Sequence, residues 1–286
     1  MGVLLLMGPG LTPDTVADLS EKFEEGEIRL RPGAVRITGL SPMAERQLQR
    51  RFFGVPDIDV VWLPEDLSIR HFRCLTLDMD STLIQNECID DMAALCGKED
   101  NVAAVTREAM EGKLSFDESL RARCAVFAGE AADLPLRALA GIRLTRGALR
   151  LIDFCRHWGL ETYIVSGGFS TLAEPLARRL GMTGAIANVL VTDNDILTGD
   201  VTGPDGGPIL NAEGKRRALE ALCGRLSCDT QAAIAAGDGA NDREMIAVAG
   251  VGVAFHAKPI LRFSTPYTLD NAGLDGITLL FQEAWQ

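Results

Sequence analysis

The sequence predicts an α/β protein made of a small N-terminal α+β unit and a larger unit built on a Rossmann-like parallel sheet. Apolar strands alternate with helical stretches beyond about residue 70, which is the pattern of a parallel sheet. A long helical stretch interrupts this alternation behind the first strand. A separate series of strands and helices fills the first 65 or so residues. We therefore expect one domain over residues 1–68 and a second over residues 69–286.

The elements of the N-terminal unit follow the order βαββαβ. Each helix begins at a Thr or Ser followed by proline, Thr12-Pro13 and Ser41-Pro42, which suits an N-cap and a first helical position. RPGA joins two alternating runs and predicts a hairpin. In chain order the segments are VLLLMG, TPDTVADLSEKFEE, EIRLRPGAVRITGL, SPMAERQLQRRFF and IDVVWL. This order predicts a ferredoxin-like sandwich, and PEDLSIRHFR follows it as a linker.

Four strands and one long insertion account for the second unit. The predicted strands are CLTLDMD at 74–80, ETYIVSGG at 161–168, AIAAGDG at 233–239 and GVGVAF at 250–255. The stretch from about 84 to 148 is rich in Ala, Leu, Arg and Glu and contains no strong strand. It predicts a helical cap inserted directly behind the first strand.

Polar side chains gather where these strands end. Two aspartates directly follow the first strand, and a desolvated carboxylate is costly unless a positive charge meets it. Because ligands bind beyond the carboxyl ends of parallel strands, these polar residues predict a shared site. They are Asp78, Asp80 and Thr82 after the first strand, Ser166, Gly167 and Gly168 at the second, Asp238 and Asp242 at the third, and Lys215 at the start of a helix before the third.

The residue types at these strand ends suggest a metal ion and a phosphate. Four aspartates at one site must bind a metal or shift their pKa values. Carboxylate oxygens suit Mg²⁺ better than Zn²⁺. Ser166 and the glycines offer a hydroxyl and unhindered N–H groups at a helix N-terminus, which favours an anion, and Lys215 adds a positive charge. The sequence therefore predicts a site for Mg²⁺ and a phosphate group.

Composition narrows the choice of partners and compartment. The 286-residue chain carries a net charge of −12, which argues against nucleic acid as a partner. No apolar run approaches the roughly 18 residues of a membrane span, and the start lacks the basic flank of a signal peptide. The seven cysteines show no C-x-x-C spacing, so we expect reduced thiols and a cytoplasmic protein.

Four short motifs carry a resemblance to a known superfamily. D-x-D-x-T occupies residues 78–82, a serine ends the second strand, an isolated lysine follows, and G-D-G-x-N-D occupies residues 237–242. In this order they resemble the motifs of the haloacid dehalogenase superfamily of phosphotransferases, over roughly residues 72–286. Within it, NECIDDMA, EGKLSFDESLRARC, SGGF and GDVTGPDGG resemble segments of the phosphoserine phosphatases.

The resemblance implies a reaction and a role for each residue. The enzyme would hydrolyse O-phospho-L-serine through an aspartyl-phosphate, with Asp78 as nucleophile and Asp80 as general acid and base. Glu87 would bind the substrate ammonium and Arg123 its carboxylate, while Phe116 closes over the serine. The phosphate would contact Ser166, Gly167, Lys215 and Asn241, and Mg²⁺ would be held by Asp78, Asp238 and the backbone carbonyl of Asp80, with Asp242 and Thr82 just behind.

Two other functions stay open at this point. The chain could act on another small phosphomonoester, such as phosphothreonine or a phosphosugar. It could also be an amino-acid-sensing regulatory protein with a vestigial catalytic half, because the N-terminal unit resembles the regulatory amino-acid-binding (ACT) domains in topology. That unit could equally serve as a structural module or form a homodimer.

Overall fold

Two β-sheets organise the protein. A computed structural model describes residues 2–15, 26–41, 43–44, 46–48 and 55–286. The N-terminal sheet contains β1 (Gly2–Met7), β2 (Glu27–Arg31), β3 (Ala34–Thr38) and β4 (Asp59–Pro64) in the order β2-β3-β1-β4, and every pairing is antiparallel. Residues 13–15, 43–44 and 46–48 are helical, but most of the two predicted helices lies outside the described residues. The ferredoxin-like sandwich therefore stays a prediction.

The larger sheet has seven strands and is mostly parallel. It contains β5 (Cys74–Leu77), β6 (Glu161–Phe169), β7 (Gly184–Asp193), β8 (Ile196–Thr202), β9 (Ala233–Gly237), β10 (Val251–Phe255) and β11 (Tyr267–Leu269). The order is β11-β10-β9-β5-β6-β7-β8, and only β7 and β8 pair antiparallel. The predicted α/β fold with a parallel sheet is confirmed.

The sequence missed three of these strands for identifiable reasons. β7 and β8 form a hairpin at the sheet edge and are only partly buried, so neither shows a continuous apolar run. Asn194 and Asp195 form its turn at φ 49° and 62°, the positive values that such tight hairpin turns require. The third missed strand, β11, is only three residues long.

Helices fill the insertion and cover both faces of the larger sheet. The insertion contains α1 (Cys88–Cys96), α2 (Glu99–Met110), α3 (Phe116–Ala125) and α4 (Leu134–Ala138), and a bridge between Ile84 and Leu144 closes its base. The stretch is helical, as predicted. The later helices are α5 (Ala148–His157), α6 (Ser170–Leu180), α7 (Ala212–Arg225), α8 (Arg243–Val248) and α9 (Pro259–Arg262).

Helices cover both faces of the larger sheet, which explains why its central strands are largely apolar. Leu219 of α7 and Met245 of α8 pack on one face of the sheet. Leu151 of α5 and Leu172 of α6 belong to the cluster on the other face. Every residue of β5, β9 and β10 is buried, as expected for parallel strands covered on both sides.

The N-terminal sheet is buried on the second unit through one of its faces. Val3, Leu5 and Val61 belong to the same apolar cluster as Leu269 and Phe281 of the larger unit. The opposite face packs its own small cluster, which contains Leu4, Leu6, Ile37, Ala44 and Leu48. The two units therefore share a core. Among the described residues, no helix has both the length and the apolar character needed to cross a bilayer.

Candidate active site

A cavity of about 170 Å³ opens between the carboxyl edge of the larger sheet and the helical insertion. Residues of the sheet edge and residues of the insertion together form its wall. The sheet side provides Asp78, Asp80, Ser166, Gly167, Gly168, Asp238 and Asn241, and the insertion provides Glu87, Phe116, Leu120 and Arg123. The strand ends and the insertion that the sequence singled out therefore meet at one cavity.

The turn after β5 aims two aspartates at this cavity. Asp78 extends the pairing of β5 with β9 by one hydrogen bond, because its N–H donates to the Ala236 carbonyl at 2.9 Å. The chain then turns tightly over Met79–Leu83, where Ser81 takes the left-handed conformation at φ 56°. The predicted strand at 74–80 is thus too long, because β5 ends at Leu77 and both acids lie in the turn.

Lys215 lies beneath the cavity and joins two of the carboxylates. Its Nζ is 2.7 Å from Asp78 Oδ1 and 2.7 Å from Asp242 Oδ1, and its side chain is fully buried. Asn211 caps α7 by accepting from the Gly214 N–H at 3.1 Å, which places Lys215 in the first helical turn. Gly239 N–H donates to Asp242 Oδ2 at 3.0 Å. Lys215 is not part of the cavity wall, and its two ion pairs are with carboxylates of the site.

Three buried carboxylates form a group that suits a hard cation. Asp78, Asp238 and Asp242 each place an oxygen within 4.8 Å of the others. Lys258 Nζ contacts Asp238 Oδ2 at 3.0 Å, so three carboxyl groups share two lysines. The deficit of positive charge and the all-oxygen donor set fit a divalent ion such as Mg²⁺. Asp80 contributes no side-chain oxygen to this group.

Burial shifts the ionisation of the two acids after β5. Desolvation raises the pKa of Asp80 to about 7, and the nearby charge of Glu87 adds to the shift. The pKa of Asp78 is also raised, first by burial and then by the charge of Asp242, while Lys215 opposes the shift. An isolated aspartate is ionised at neutral pH. Burial at this site instead favours the protonated form of Asp78 and Asp80.

Ser166 and the glycines lie at the end of β6, not at a helix N-terminus as expected. The strand continues through Phe169, and α6 begins at Ser170. Ser166 Oγ accepts from the Gly168 N–H at 2.9 Å. A Cβ at Gly167 would lie 3.0 Å from Phe116 Cζ, so the absence of a side chain there lets the insertion approach the strand. This segment still offers a hydroxyl and open backbone at the cavity.

Glu87 and Arg123, the charged residues with which the insertion lines the cavity, make few contacts of their own. Glu87 precedes α1 but makes no capping bond, and its Oε1 accepts from Ser81 Oγ at 2.8 Å. Arg123 is half-buried, and its Nε donates to the Ser119 carbonyl at 3.4 Å. Phe116 opens α3 behind a capping box formed by Ser115. Glu87 thus occupies the N-cap position of α1 without a capping bond from its side chain, and Arg123 lines the cavity.

Several residues at the site escaped the sequence reasoning. Lys258 follows β10, so the rule that ligands bind beyond parallel strand ends would have found it at the fourth strand. Ser81 lies inside the first motif, where only its neighbours attracted attention. Cys88, whose N–H reaches Asp80 Oδ1 at 3.4 Å, carried no signal. Asn188 also carried none, although it bridges the Gly167 carbonyl and the Leu210 N–H at 2.8 and 2.7 Å.

Thr82 is placed behind the site rather than in it. Its side chain is fully buried, and its Oγ1 has no hydrogen-bond partner within the part of the chain that the structure describes. Of the predicted residues, Thr82, Asp242 and Lys215 lie outside the cavity wall, and the others line it.

Comparison with known families identifies a hydrolase. Residues 72–250 match the family model described as haloacid dehalogenase-like hydrolase. This range contains every acid and lysine discussed above except Lys258.

Individual relatives and solved structures agree with this match. A phosphoserine phosphatase of Polaromonas sp. strain JS666 is 40% identical over 212 residues, which cover 73% of this chain and 90% of the relative. A haloacid dehalogenase family hydrolase from Salmonella enterica serovar Typhi superposes with a TM-score of 0.83 at 26% identity, over 99% of both chains. The structure of a phospho-aspartyl intermediate analogue of phosphoserine phosphatase has a TM-score of 0.67 at 34% identity, over 74% of this chain and 99% of the other.

Proposed function

The chain belongs to the haloacid dehalogenase-like hydrolases, and we propose that it hydrolyses O-phospho-L-serine to L-serine and phosphate. One observation carries the proposal. A single cavity has Asp78 and Asp80 in one wall and the oppositely charged Glu87 and Arg123 in the other. The first pair suits phosphoryl transfer, and the second suits a zwitterionic amino acid.

The insertion would recognise the serine portion of the substrate. Glu87 pairs with the ammonium, and Arg123 binds the carboxylate through its two parallel N–H donors. Arg123 is available for this role because, among the residues that the structure describes, its guanidinium is engaged through Nε alone, by a long bond to a backbone carbonyl. Phe116, which lies against Gly167, covers the serine carbon atoms.

The sheet edge would bind the phosphate. Ser166 provides a hydroxyl, Gly167 provides open backbone, and Asn241 provides an amide at the same cavity. Lys215 acts from beneath, because its bonds to Asp78 and Asp242 hold positive charge directly behind the reacting carboxylate.

Mg²⁺ is the cofactor that this site would take. Phosphatases of this family generally use it. Asp78, Asp238 and the backbone carbonyl of Asp80 would hold it, with Asp242 behind them, and the charge deficit of the carboxylate group supports this assignment. Bound there, Mg²⁺ supplies positive charge that offsets the negative charge of the phosphate.

The first step would transfer the phosphoryl group to the protein. Asp78 Oδ1 is held by Lys215 and by the Met79 N–H at 2.8 Å, which leaves Oδ2 as the attacking atom. Oδ2 forms a bond to phosphorus while the bond from phosphorus to the serine oxygen breaks. Asp80 donates its proton to that oxygen, and L-serine leaves. A pKa of about 7 lets Asp80 hold this proton at neutral pH.

The second step would release phosphate and restore both acids. Asp80, now a carboxylate, accepts a proton from a water molecule as that water attacks phosphorus. The bond between phosphorus and Asp78 breaks, and Asp78 is again a carboxylate. Asp80 is again protonated, so the cycle can repeat. The insertion would exclude other water during the first step.

The N-terminal unit would be a ferredoxin-like domain of about residues 1–68 that precedes the phosphatase domain at 69–286, with its cap at about 84–148. The strand order β2-β3-β1-β4 supports a βαββαβ chain path, and the bridge between Ile84 and Leu144 supports the base of the cap. Its shared core with the phosphatase domain favours a structural contribution.

Phosphate release from a substrate panel tests the proposal. We expect turnover of O-phospho-L-serine to exceed that of phosphothreonine, a phosphosugar and an aryl phosphate, and to require a divalent cation. Asp78→Asn is the control, since it removes the nucleophile and should abolish release from every substrate. Better turnover of another phosphomonoester would overturn the substrate. Full turnover in excess chelator would overturn the metal assignment, and no release by the wild type would favour a vestigial catalytic half.

A further inference from the structure

Asp59, at the start of β4, binds a loop of the phosphatase domain. Its Oδ1 accepts from the N–H of Asp270 at 2.8 Å, and its Oδ2 accepts from the N–H of Ala272 at 2.8 Å. The N–H of Asn271 and its side-chain amide, both within 3.1 Å of this carboxylate, complete the contact. Three successive backbone N–H groups therefore surround a buried carboxylate, an arrangement that holds an anion firmly.

The same loop supports the segment that follows β10. The His256 ring donates from Nε2 to the Ala272 carbonyl at 3.1 Å, and its backbone N–H donates to the Leu269 carbonyl at 2.7 Å. His256 has φ 43°, a conformation that non-glycine residues adopt only when their surroundings hold them in it. Leu269 of β11 and Ala272 of the loop thus hold the turn at His256 together, and the side-chain contact is the one made by the loop.

That turn delivers Lys258 to the acidic site. The Lys258 N–H donates to the Asp238 carbonyl at 2.8 Å, and its Nζ contacts Asp238 Oδ2 at 3.0 Å. A cavity of about 550 Å³ lies along this segment and is lined by His256, Lys258 and Ala272. On that side the segment borders the cavity, so it is held by its hydrogen bonds to Leu269, Ala272 and Asp238 and by the buried Ala257 on its other side.

We infer that Asp59 is a positioning residue through which the N-terminal domain holds Lys258 against Asp238. The chain of contacts runs from Asp59 through Ala272 and His256 to Lys258. Lys258 competes with a divalent cation for Asp238 Oδ2, so its placement sets how strongly the acidic site binds Mg²⁺. This last consequence rests on the proposed function, whereas the positioning itself does not.

Amide hydrogen exchange without metal or substrate tests the positioning. Asp59→Asn removes the charge and should speed exchange of the amides at 270–272 and of Lys258 by about tenfold or more, while amides in β6 stay protected. His256→Asn interrupts the path further along, and asparagine tolerates a positive φ. It should speed exchange at Lys258 and leave 270–272 unchanged. Asp57→Asn is the matched control, because it removes the same charge two residues away on an exposed side chain.

The pattern of amide exchange rates distinguishes a positioning role of Asp59 from a general contribution to stability. If Asp59→Asn speeds exchange only at 270–272, or equally throughout the protein, the inference is overturned. Should Asp59→Asn fail to fold, His256→Asn still tests the last link, and unchanged exchange at Lys258 in that variant would overturn it. None of these results depends on phosphatase activity, so loss of the proposed function would leave them intact.

Titration with Mg²⁺ tests the consequence for the acidic site. Lys258→Met should lower the Kd for Mg²⁺ by about threefold or more, because it removes a competing charge beside Asp238. Asp59→Asn should lower the Kd by a smaller factor, and in the Lys258→Met background it should have no further effect. Equal effects of Asp59→Asn in both backgrounds would show that Asp59 does not act through Lys258.

Discussion

The two walls of the active-site cavity hold their charged side chains in different ways. Directly behind the sheet wall, Lys215 is fully buried and contacts carboxylates of Asp78 and Asp242 at 2.7 Å each. On the insertion side, Glu87 is exposed and Arg123 half-buried, and their partners are the Ser81 hydroxyl and a backbone carbonyl at 3.4 Å. The charges behind the sheet wall are paired with one another in a buried network, whereas the charged side chains of the insertion wall have weak partners.

This difference separates the reaction from the choice of substrate. A buried ion pair tolerates no loss of a partner, because the remaining charge cannot be solvated. An exposed charge with weak partners can exchange them for a ligand at little cost. In the proposed function, the sheet wall would carry out phosphoryl transfer, and the insertion wall would select the phosphomonoester. Each prediction below tests one side of this contrast.

The largest effect should follow from removing the buried lysine. Lys215→Met leaves Asp78 and Asp242 buried without their shared cation, so we expect the free energy of unfolding to fall by about 3–5 kcal/mol. Urea denaturation of the metal-free protein measures this loss. Turnover of phosphoserine and of an aryl phosphate should fall together, because the change affects the nucleophile that both substrates need.

A second lysine of the same site is the matched control. Lys258 also contacts an aspartate, at 3.0 Å, but its side chain is 63% exposed. Lys258→Met should therefore cost no more than about 1 kcal/mol. If the two variants lose equal stability, burial does not distinguish the pairs and the contrast between the walls is wrong.

An intermediate effect should come from the insertion wall and should depend on the substrate. Arg123→Ala removes the partner of the substrate carboxylate, so kcat/KM for phosphoserine should fall by a factor equivalent to about 2–5 kcal/mol. Arg123→Lys should recover part of the loss, because an ammonium group cannot provide two parallel donors. Turnover of an aryl phosphate, which has no carboxylate, should change far less.

Arg107, exposed on another helix of the insertion, provides the comparison. Arg107→Ala should leave kcat/KM for both substrates unchanged. Equal losses for both substrates in Arg123→Ala would mean that Arg123 serves the phosphate or the closure of the insertion. The assignment of the insertion wall to substrate choice would then fail.

The strand ends of the site were predictable because they obey a local rule. An apolar segment followed by Asp78 and Asp80 places charge where a parallel sheet binds ligands, and no information from the rest of the chain is needed. The same rule applied to β10 would have included Lys258. The helical insertion was predictable for a similar reason, since its composition alone favours helix.

Contacts between distant segments were not predictable in this way. Nothing in the sequence around Asp59 indicates that its carboxylate accepts bonds from residues more than 200 positions away. The sequence also could not show that Lys215 Nζ forms ion pairs with both Asp78 and Asp242.

The smallest effect concerns Asp80, which lies between the two walls. Burial raises its pKa from the ordinary 3.8 to about 7, and Glu87 of the insertion adds to the shift. A raised pKa means that Asp80 keeps its proton up to about pH 7 and loses it above. Because the serine oxygen must receive that proton, kcat/KM for phosphoserine should fall about tenfold per pH unit above pH 7. An aryl phosphate should show a much shallower fall, since its leaving group needs no proton.

Two variants assign this pH dependence to Asp80 and to its surroundings. Asp80→Asn should remove the alkaline fall with the aryl phosphate and abolish most turnover of phosphoserine, because the amide cannot donate the proton. Glu87→Gln removes a neighbouring negative charge, so it should move the midpoint of the phosphoserine profile to lower pH. The insertion wall would then act on the chemical step as well as on binding. If the midpoint stays in place while KM for phosphoserine rises, Glu87 serves binding alone. Catalysis and substrate binding would then be assigned to separate walls of the cavity.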